Sequence, residues 1–229
     1  MHMTEDGSAL VAFRAEADAL VGALGELAPA AWDRATRCAP WRVRDVVGHV
    51  ITVLARVPDM IAAPEPPRAD TTATGYYRRD HRFSGTANTA RVDAARDRAA
   101  GLDGAAIVRQ LAETATAVVT SCRPERDGRI VRTRHGDAML LTDFLSTRVV
   151  EVAVHGLDVA DALEQRPWLT AAAARHLQQW LFGADWQAAV SALGWDPVTL
   201  LRKTGGRAPV TPDEAADLAR LGLRPLTLG

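Results

Sequence analysis

Between Thr147 and Leu163, the residues Arg148, Glu151, His155 and Asp158 recur at three- and four-residue intervals through one of the most apolar stretches of the chain. At 3.6 residues per turn, Glu151 and His155 lie about 40° apart around a helix axis, and Asp158 falls about 20° to the other side of Glu151. Valines, alanines and Leu157 fill most of the remaining circumference, whereas a surface helix usually shows a broader polar face. Asp45, His49, Thr52 and Arg56 share a second narrow sector earlier in the chain. Two readings are open. In one, Arg148, Glu151, Asp158 and Gln165 form a thin solvated stripe with His155 at its edge, because charged side chains are rarely buried without partners. In the other, the Glu-x-x-x-His turn offers one oxygen and one nitrogen to a cation, and a histidine from a facing helix completes the set. Three such ligands suit zinc and leave a position for water, a thiol or a substrate oxygen, which is the pattern of a catalytic site.

Positioning these residues requires packed helices. Ser8 to Leu27 places Leu10, Val11, Phe13, Ala17, Leu20, Val21 and Leu24 along one side of a helix that Pro29 closes. Val43 to Ala63 forms a second run with Val46, Val47, Val50, Ile51, Leu54 and Val57 inward, kinked or shortened by Pro58. Pro64 to Gly85 reads as a long connection or lid. Ala87 to Ala100 is helical until Gly101, and Asp103 offers an N-cap for Ala105 to Val119. Between Arg123 and Leu141, the Asp127-Gly128 pair and the alternation after it fit a short hairpin or an irregular loop. About Thr142 to Leu163 is the last of four substantial core helices, which favours an all-α bundle over residues 1–166. Residues 167–229 form a helical extension packed on it. There Thr170 to Ala192 is helical, Asp196-Pro197 starts another helix, and Thr211-Pro212-Asp213-Glu214 combines a cap, a first-turn proline and a capping-box glutamate. Trp168, Trp180, Trp186 and Trp195 are expected to seat this part on the bundle.

Composition narrows the partners. Lys plus Arg number 27 against 28 for Asp plus Glu, so no long-range field draws in nucleic acid or an anionic membrane. No apolar stretch approaches the roughly 20 residues of a membrane helix. Two cysteines, Cys38 and Cys122, and an N-terminal stretch without a secretory pattern suggest a cytoplasmic protein with reduced thiols. Phosphate loops, paired-cysteine metal motifs and serine nucleophile elbows are missing from the sequence. His135 and His81 lie in connecting segments that could border a pocket, and Cys38 reads as loop packing.

Two segments carry a resemblance to a known family. They are Thr36-Arg-Cys-Ala-Pro-Trp-Arg-Val-Arg-Asp-Val-Val-Gly-His-Val50, and Arg148-Val-Val-Glu-Val-Ala-Val-His-Gly-Leu-Asp-Val-Ala160. A weaker likeness lies in Lys203-Thr-Gly-Gly-Arg207. With these the chain resembles the mycothiol-dependent maleylpyruvate isomerase family of DinB-like helix bundles. The resemblance implies a DinB-like four-helix bundle and a divalent metal, zinc above all, on His49, Glu151 and His155. It also implies mycothiol or another small thiol as cofactor and a small electrophilic or unsaturated acid as substrate. The thiolate would add to an electron-poor double bond and leave after rotation, giving cis-trans isomerisation; remaining attached, it would make the protein an S-transferase. Another zinc enzyme or a non-catalytic binding protein on the same fold is the alternative. Asp45 and Asp158, near one turn from the histidines, are candidates for orienting the imidazoles, with surface ion pairs as the alternative. The family's arginine for its acidic substrate has candidates in Arg78, Arg79 and Arg82, with His81 beside them. Oligomeric state is open between monomer and homodimer. Pro40 and Arg42 depart from the family pattern at the start of the second helix, and the segment after Pro167 reads as more helical than the mixed tail of the family's isomerase.

Overall fold

The computed structural model describes residues 9–77 and 85–223. Four helices form the bundle: α1 (Ala9–Gly25), α2 (Val43–Leu54), α6 (Gly104–Cys122) and α7 (Leu141–Ala162). Helices α1 and α2 each pack against both α6 and α7, so the four close a ring around the core. The expected apolar stripes line it, with Phe13, Leu20 and Leu24 of α1 and Val46, Val50 and Leu54 of α2 buried. Val11 departs from its expected place and faces solvent, while Glu16 is buried. Its carboxylate accepts the backbone N–H of Thr170 at 2.9 Å and its hydroxyl at 2.7 Å, which ties the following segment to α1.

The second expected helix is two. Pro58 has no N–H to bond back to the Leu54 carbonyl, and the chain breaks after Leu54 before resuming as α3 (Arg56–Ala62). In the long connection, α4 (Ala73–Tyr76) is capped by Thr72. Then α5 (Gly85–Ala99) packs along α2. Gly48 makes that approach close: a Cβ there would stand 2.4 Å from the carbonyl oxygen of Ala95. Asp103 caps α6 through the N–H of Ala106 at 2.7 Å. The hairpin is real, with β1 (Ile130–Arg132) antiparallel to β2 (Ala138–Leu140) in the register Val131 opposite Met139.

After Pro167 the described residues hold helices and no strand. The single helix expected from Thr170 to Ala192 is split into α8 (Ala171–Phe182), a 3-10 turn at Gly183–Asp185 and α9 (Trp186–Leu193). Gly183 at φ 71 causes the split, because a left-handed residue cannot continue an α-helix. Helices α10 (Pro197–Thr204) and α11 (Pro212–Arg220) begin at the expected caps, Asp196 and Thr211, the second with Glu214 completing its capping box. Helix α8 packs on α1 and α7, and Trp168 lies against α7 at Gly156. No helix among the described residues is long and apolar enough to cross a membrane.

Candidate metal centre

Helix α7 is buried around nearly its whole circumference because α1, α2, α8 and α10 all pack on it. The solvated-stripe reading therefore fails. Arg148, His155 and Asp158 are buried at 2%, 8% and 0% exposure, Glu151 is half-buried, and of the expected stripe Gln165 alone, past the end of α7, is exposed. Arg148 is not a surface residue. Its guanidinium donates to the Thr147 hydroxyl at 3.1 and 3.2 Å, lies 4.6 Å over the Phe144 ring, and stands 3.8 Å from Glu151 Oε1.

The packing of α2 on α7 brings His49 to the Glu151-x-x-x-His155 turn. His49 Nε2 is 3.3 Å from Glu151 Oε2, and His155 Nε2 is 3.4 Å from the same oxygen. One donor atom from each of the three lies within 4.8 Å of the others. Ligands about 2.0–2.1 Å from a tetrahedral zinc stand about 3.3–3.4 Å apart, so the two short separations already match a zinc edge. Nitrogen, nitrogen and carboxylate oxygen form the donor set of open zinc sites. The residues fit a divalent cation.

Their electrostatics decide which of the three must lose a proton to hold a cation. Burial pushes His49 down to about 4 against the opposing pull of Glu151, so its ring is neutral and keeps a lone pair. For Glu151 burial favours the neutral acid, yet hydrogen bonds from His155 and His49 and the charge of Arg148 hold it well below the usual carboxylate range. For His155 burial again opposes charge, and the contacts with Asp158, Cys38 and Glu151 outweigh it and raise the ring well above the usual range. His155 Nδ1–H donates to Asp158 Oδ2 at 3.0 Å, which turns Nε2 towards Glu151. That is the arrangement in which an outer carboxylate orients a metal-binding imidazole. Asp45 is differently employed. Its carboxylate accepts the N–H of Arg42 at 2.9 Å and fastens the start of α2, a place where Arg42 has no side-chain cap of its own to offer.

The three candidate ligands open on a cavity of about 790 Å³ between α2, α5, α7, the hairpin and the turn after α10. Sequence reasoning missed much of its wall. Arg37, Arg56, Arg91, Arg134 and Arg207 line it, and among the described lining residues Glu151 is the single carboxylate. Burial, then the nearby charges of Arg134 and Arg148, bring Arg56 down to about 10. The signal for Arg56 was present, because it shares the sector of His49 and Thr52. No local signal marked Arg134, which arrives from the hairpin, whereas Arg207, from the far end of the chain, closes the Lys203-Thr-Gly-Gly-Arg207 motif, whose place at the cavity the sequence did not show. Trp41 lies in the first of the two family-like segments, and its ring packs 4.9 Å from that of His49 and 6.2 Å from that of His155. Cys38 does more than pack: its thiol donates to Asp158 Oδ2 at 3.2 Å. His135 does border the cavity. Arg78, Arg79, His81 and Arg82 lie outside the described residues.

Comparison with known proteins bears on the family and the fold. The sequence profile of the mycothiol maleylpyruvate isomerase N-terminal domain matches residues 13–160. Two crystal structures of mycothiol-dependent maleylpyruvate isomerase, one of them of a mutant, resemble the fold. The mutant superposes with a TM-score of 0.53 at 13% identity, the other with 0.52 at 14%, each over 76% of this chain and 68% of theirs. No protein of curated function matches the sequence.

Proposed function

The chain belongs to the mycothiol maleylpyruvate isomerase family, and we propose that it is a metal- and mycothiol-dependent enzyme. Its substrate is a small electrophilic or unsaturated acid, and its reaction is cis-trans isomerisation. The observation that supports this reading is the convergence of His49, Glu151 and His155 on a cavity whose described wall carries five arginines, Arg37, Arg56, Arg91, Arg134 and Arg207.

A divalent cation on those three residues, zinc by the character of the donors, supplies a positive charge that favours the thiolate of a thiol bound beside it. The chain's own residues do the rest. Burial keeps His49 neutral and its three basic neighbours keep Glu151 anionic, while His155 would give up its Nε2 proton to hold a cation. Asp158 holds the His155 ring in register from behind. Trp41 covers the flank of both imidazoles and excludes water there. Arg56 has no hydrogen bond or ion pair among the described residues and faces the cavity, so its guanidinium is available to the carboxylate of an acid.

The test is turnover of a cis-configured unsaturated keto acid by zinc-loaded protein. Conversion to the trans isomer is expected only with both zinc and mycothiol present, with the thiol recovered unchanged. A product that retains the thiol would move the reaction to S-transfer. Undiminished turnover without thiol would contradict the proposal.

A further inference from the structure

Asp158 is wholly buried on α7, and a buried carboxylate persists only with full hydrogen bonding. His155 Nδ1–H and the Cys38 thiol reach its Oδ2 at 3.0 and 3.2 Å. The two strongest bonds come from the other side. Arg207 donates from Nε to Oδ1 at 3.1 Å and from Nη2 to Oδ2 at 2.9 Å, a bidentate pair.

The turn after α10 is built to hold that guanidinium in place. Gly206 sits at φ +71, a left-handed conformation that glycine adopts without a Cβ penalty. The chain then doubles back, with the N–H groups of Arg207 and Ala208 both on the carbonyl of Arg202. Arg207 Nη1 donates to the carbonyl of Gly205 at 2.7 Å, and Arg37 donates to the carbonyl of Arg207 at 2.5 Å. An ion pair from Arg202 to Asp161 fastens α10 to α7 three residues beyond Asp158. The Lys203-Thr-Gly-Gly-Arg207 motif thus has a physical reading: the left-handed Gly206 lets an arginine return into the bundle.

We propose that Arg207 is a positioning residue for the candidate metal centre, and that the turn at 202–208 is a structural part of that centre although it contributes no ligand. By clamping both oxygens of Asp158, Arg207 fixes the carboxylate plane. The carboxylate in turn fixes His155 with Nδ1–H pointing backwards and Nε2 facing Glu151 and His49. The Cys38 thiol, a weak donor, cannot hold the plane alone. This inference rests on the reading of His49, Glu151 and His155 as metal ligands, and its test separates the two.

The experiment is zinc affinity, measured by competition with a chromogenic chelator, for wild type, Arg207→Met, Arg207→Lys, Asp158→Asn and the Arg207→Met/Asp158→Asn double variant. Circular dichroism monitors folding, and the imidazole Nδ1 proton of His155 is followed by NMR in metal-free protein. Arg207→Met is expected to weaken zinc binding about tenfold, the order found for outer partners of metal ligands. Asp158→Asn should do the same, and the double variant should lose no more than the worse single one, since both act through one contact. Arg207→Lys, with one point charge in place of a fork, should fall between wild type and Arg207→Met. The Nδ1 proton should be resolved in wild type and exchange-broadened in Arg207→Met. Wild-type affinity and a wild-type resonance in folded Arg207→Met would overturn the proposal, as would additive losses in the double variant. If Arg207→Met does not fold, Arg207→Lys decides, and wild-type affinity there would overturn it. A wild type that binds no zinc would remove the metal reading and the metal-directed part of the proposal. The NMR comparison would then still decide whether Arg207 positions His155.

Discussion

Glu151 is the point on which two histidines and an arginine converge, and each neighbour makes a different demand of it. Its Oε2 faces both imidazoles, whereas Oε1 faces Arg148 at 3.8 Å. Arg148 is buried with that carboxylate as its nearest countercharge, and removing one partner of a buried pair costs about 3–5 kcal/mol. Arg148→Ala is therefore expected to lower the melting temperature on the order of 10 °C, measured by calorimetry; a loss within 1–2 °C would contradict the pairing. Arg56 gives the opposite expectation, because no described partner depends on it. Arg56→Ala should leave stability unchanged and raise KM for the acid about tenfold with little change in kcat, since it would remove binding common to ground and transition states. Helical spacing put Glu151 and His155 in one sector and left the solvated stripe open; the family resemblance singled out His49 with them as candidate ligands. Arg148 and Asp158 were not readable as buried, because what pays for their charge comes from elsewhere: Tyr76 and the Val53 carbonyl for one, Arg207 for the other.

At the scale of elements, the site depends on how closely helices approach. Gly48 precedes His49 and lies against the backbone of α5. Gly48→Ala must push α2 and α5 apart, at about 1–3 kcal/mol, and carry His49 with them. Denaturant unfolding should show that loss, and zinc affinity should fall with it. The joint between α7 and α8 carries a pH dependence. His176 Nε2 donates to Ser146 Oγ at 3.0 Å, because the Ser146 hydroxyl proton is already given to the Thr142 carbonyl. Burial lowers His176 from 6.5 to about 4. Between those values the unfolded chain binds the proton and the folded one does not, so stability falls as pH drops through that window. The contribution is on the order of 2 kcal/mol after allowance for partial exposure. It should appear as a shallower acid-side decline in His176→Gln than in wild type; identical profiles would contradict it. Helix starts were legible wherever a cap announced them, as at Asp103, Thr170, Asp196 and Thr211. The break at Gly183 was not, because a single glycine in a helical pattern does not reveal the sign of its φ.

At the scale of the whole molecule, the order of the chain explains the distribution of the site. The candidate ligands come from α2 and α7, the described cationic wall comes also from α3, α5 and the hairpin, and the arginine on Asp158 comes from the turn after α10. The profile match ends at residue 160, before α8 begins, yet the cavity wall includes Gly206 and Arg207. The bundle was legible from its apolar periods, and its end-to-end closure was not, since contacts between residues 49 apart such as Asp158 and Arg207 leave no periodic trace. A ligand that binds only the folded state stabilises it by about 2.7 kcal/mol at 100 times its Kd. Zinc at such an excess should thus raise the melting temperature by several degrees, and chelation should reverse it. The most direct measurement is metal content by elemental analysis of purified wild type beside Glu151→Ala and His155→Ala, each shown to be folded. The account predicts close to one zinc per wild-type chain and little in either variant; equal metal in all three would contradict it.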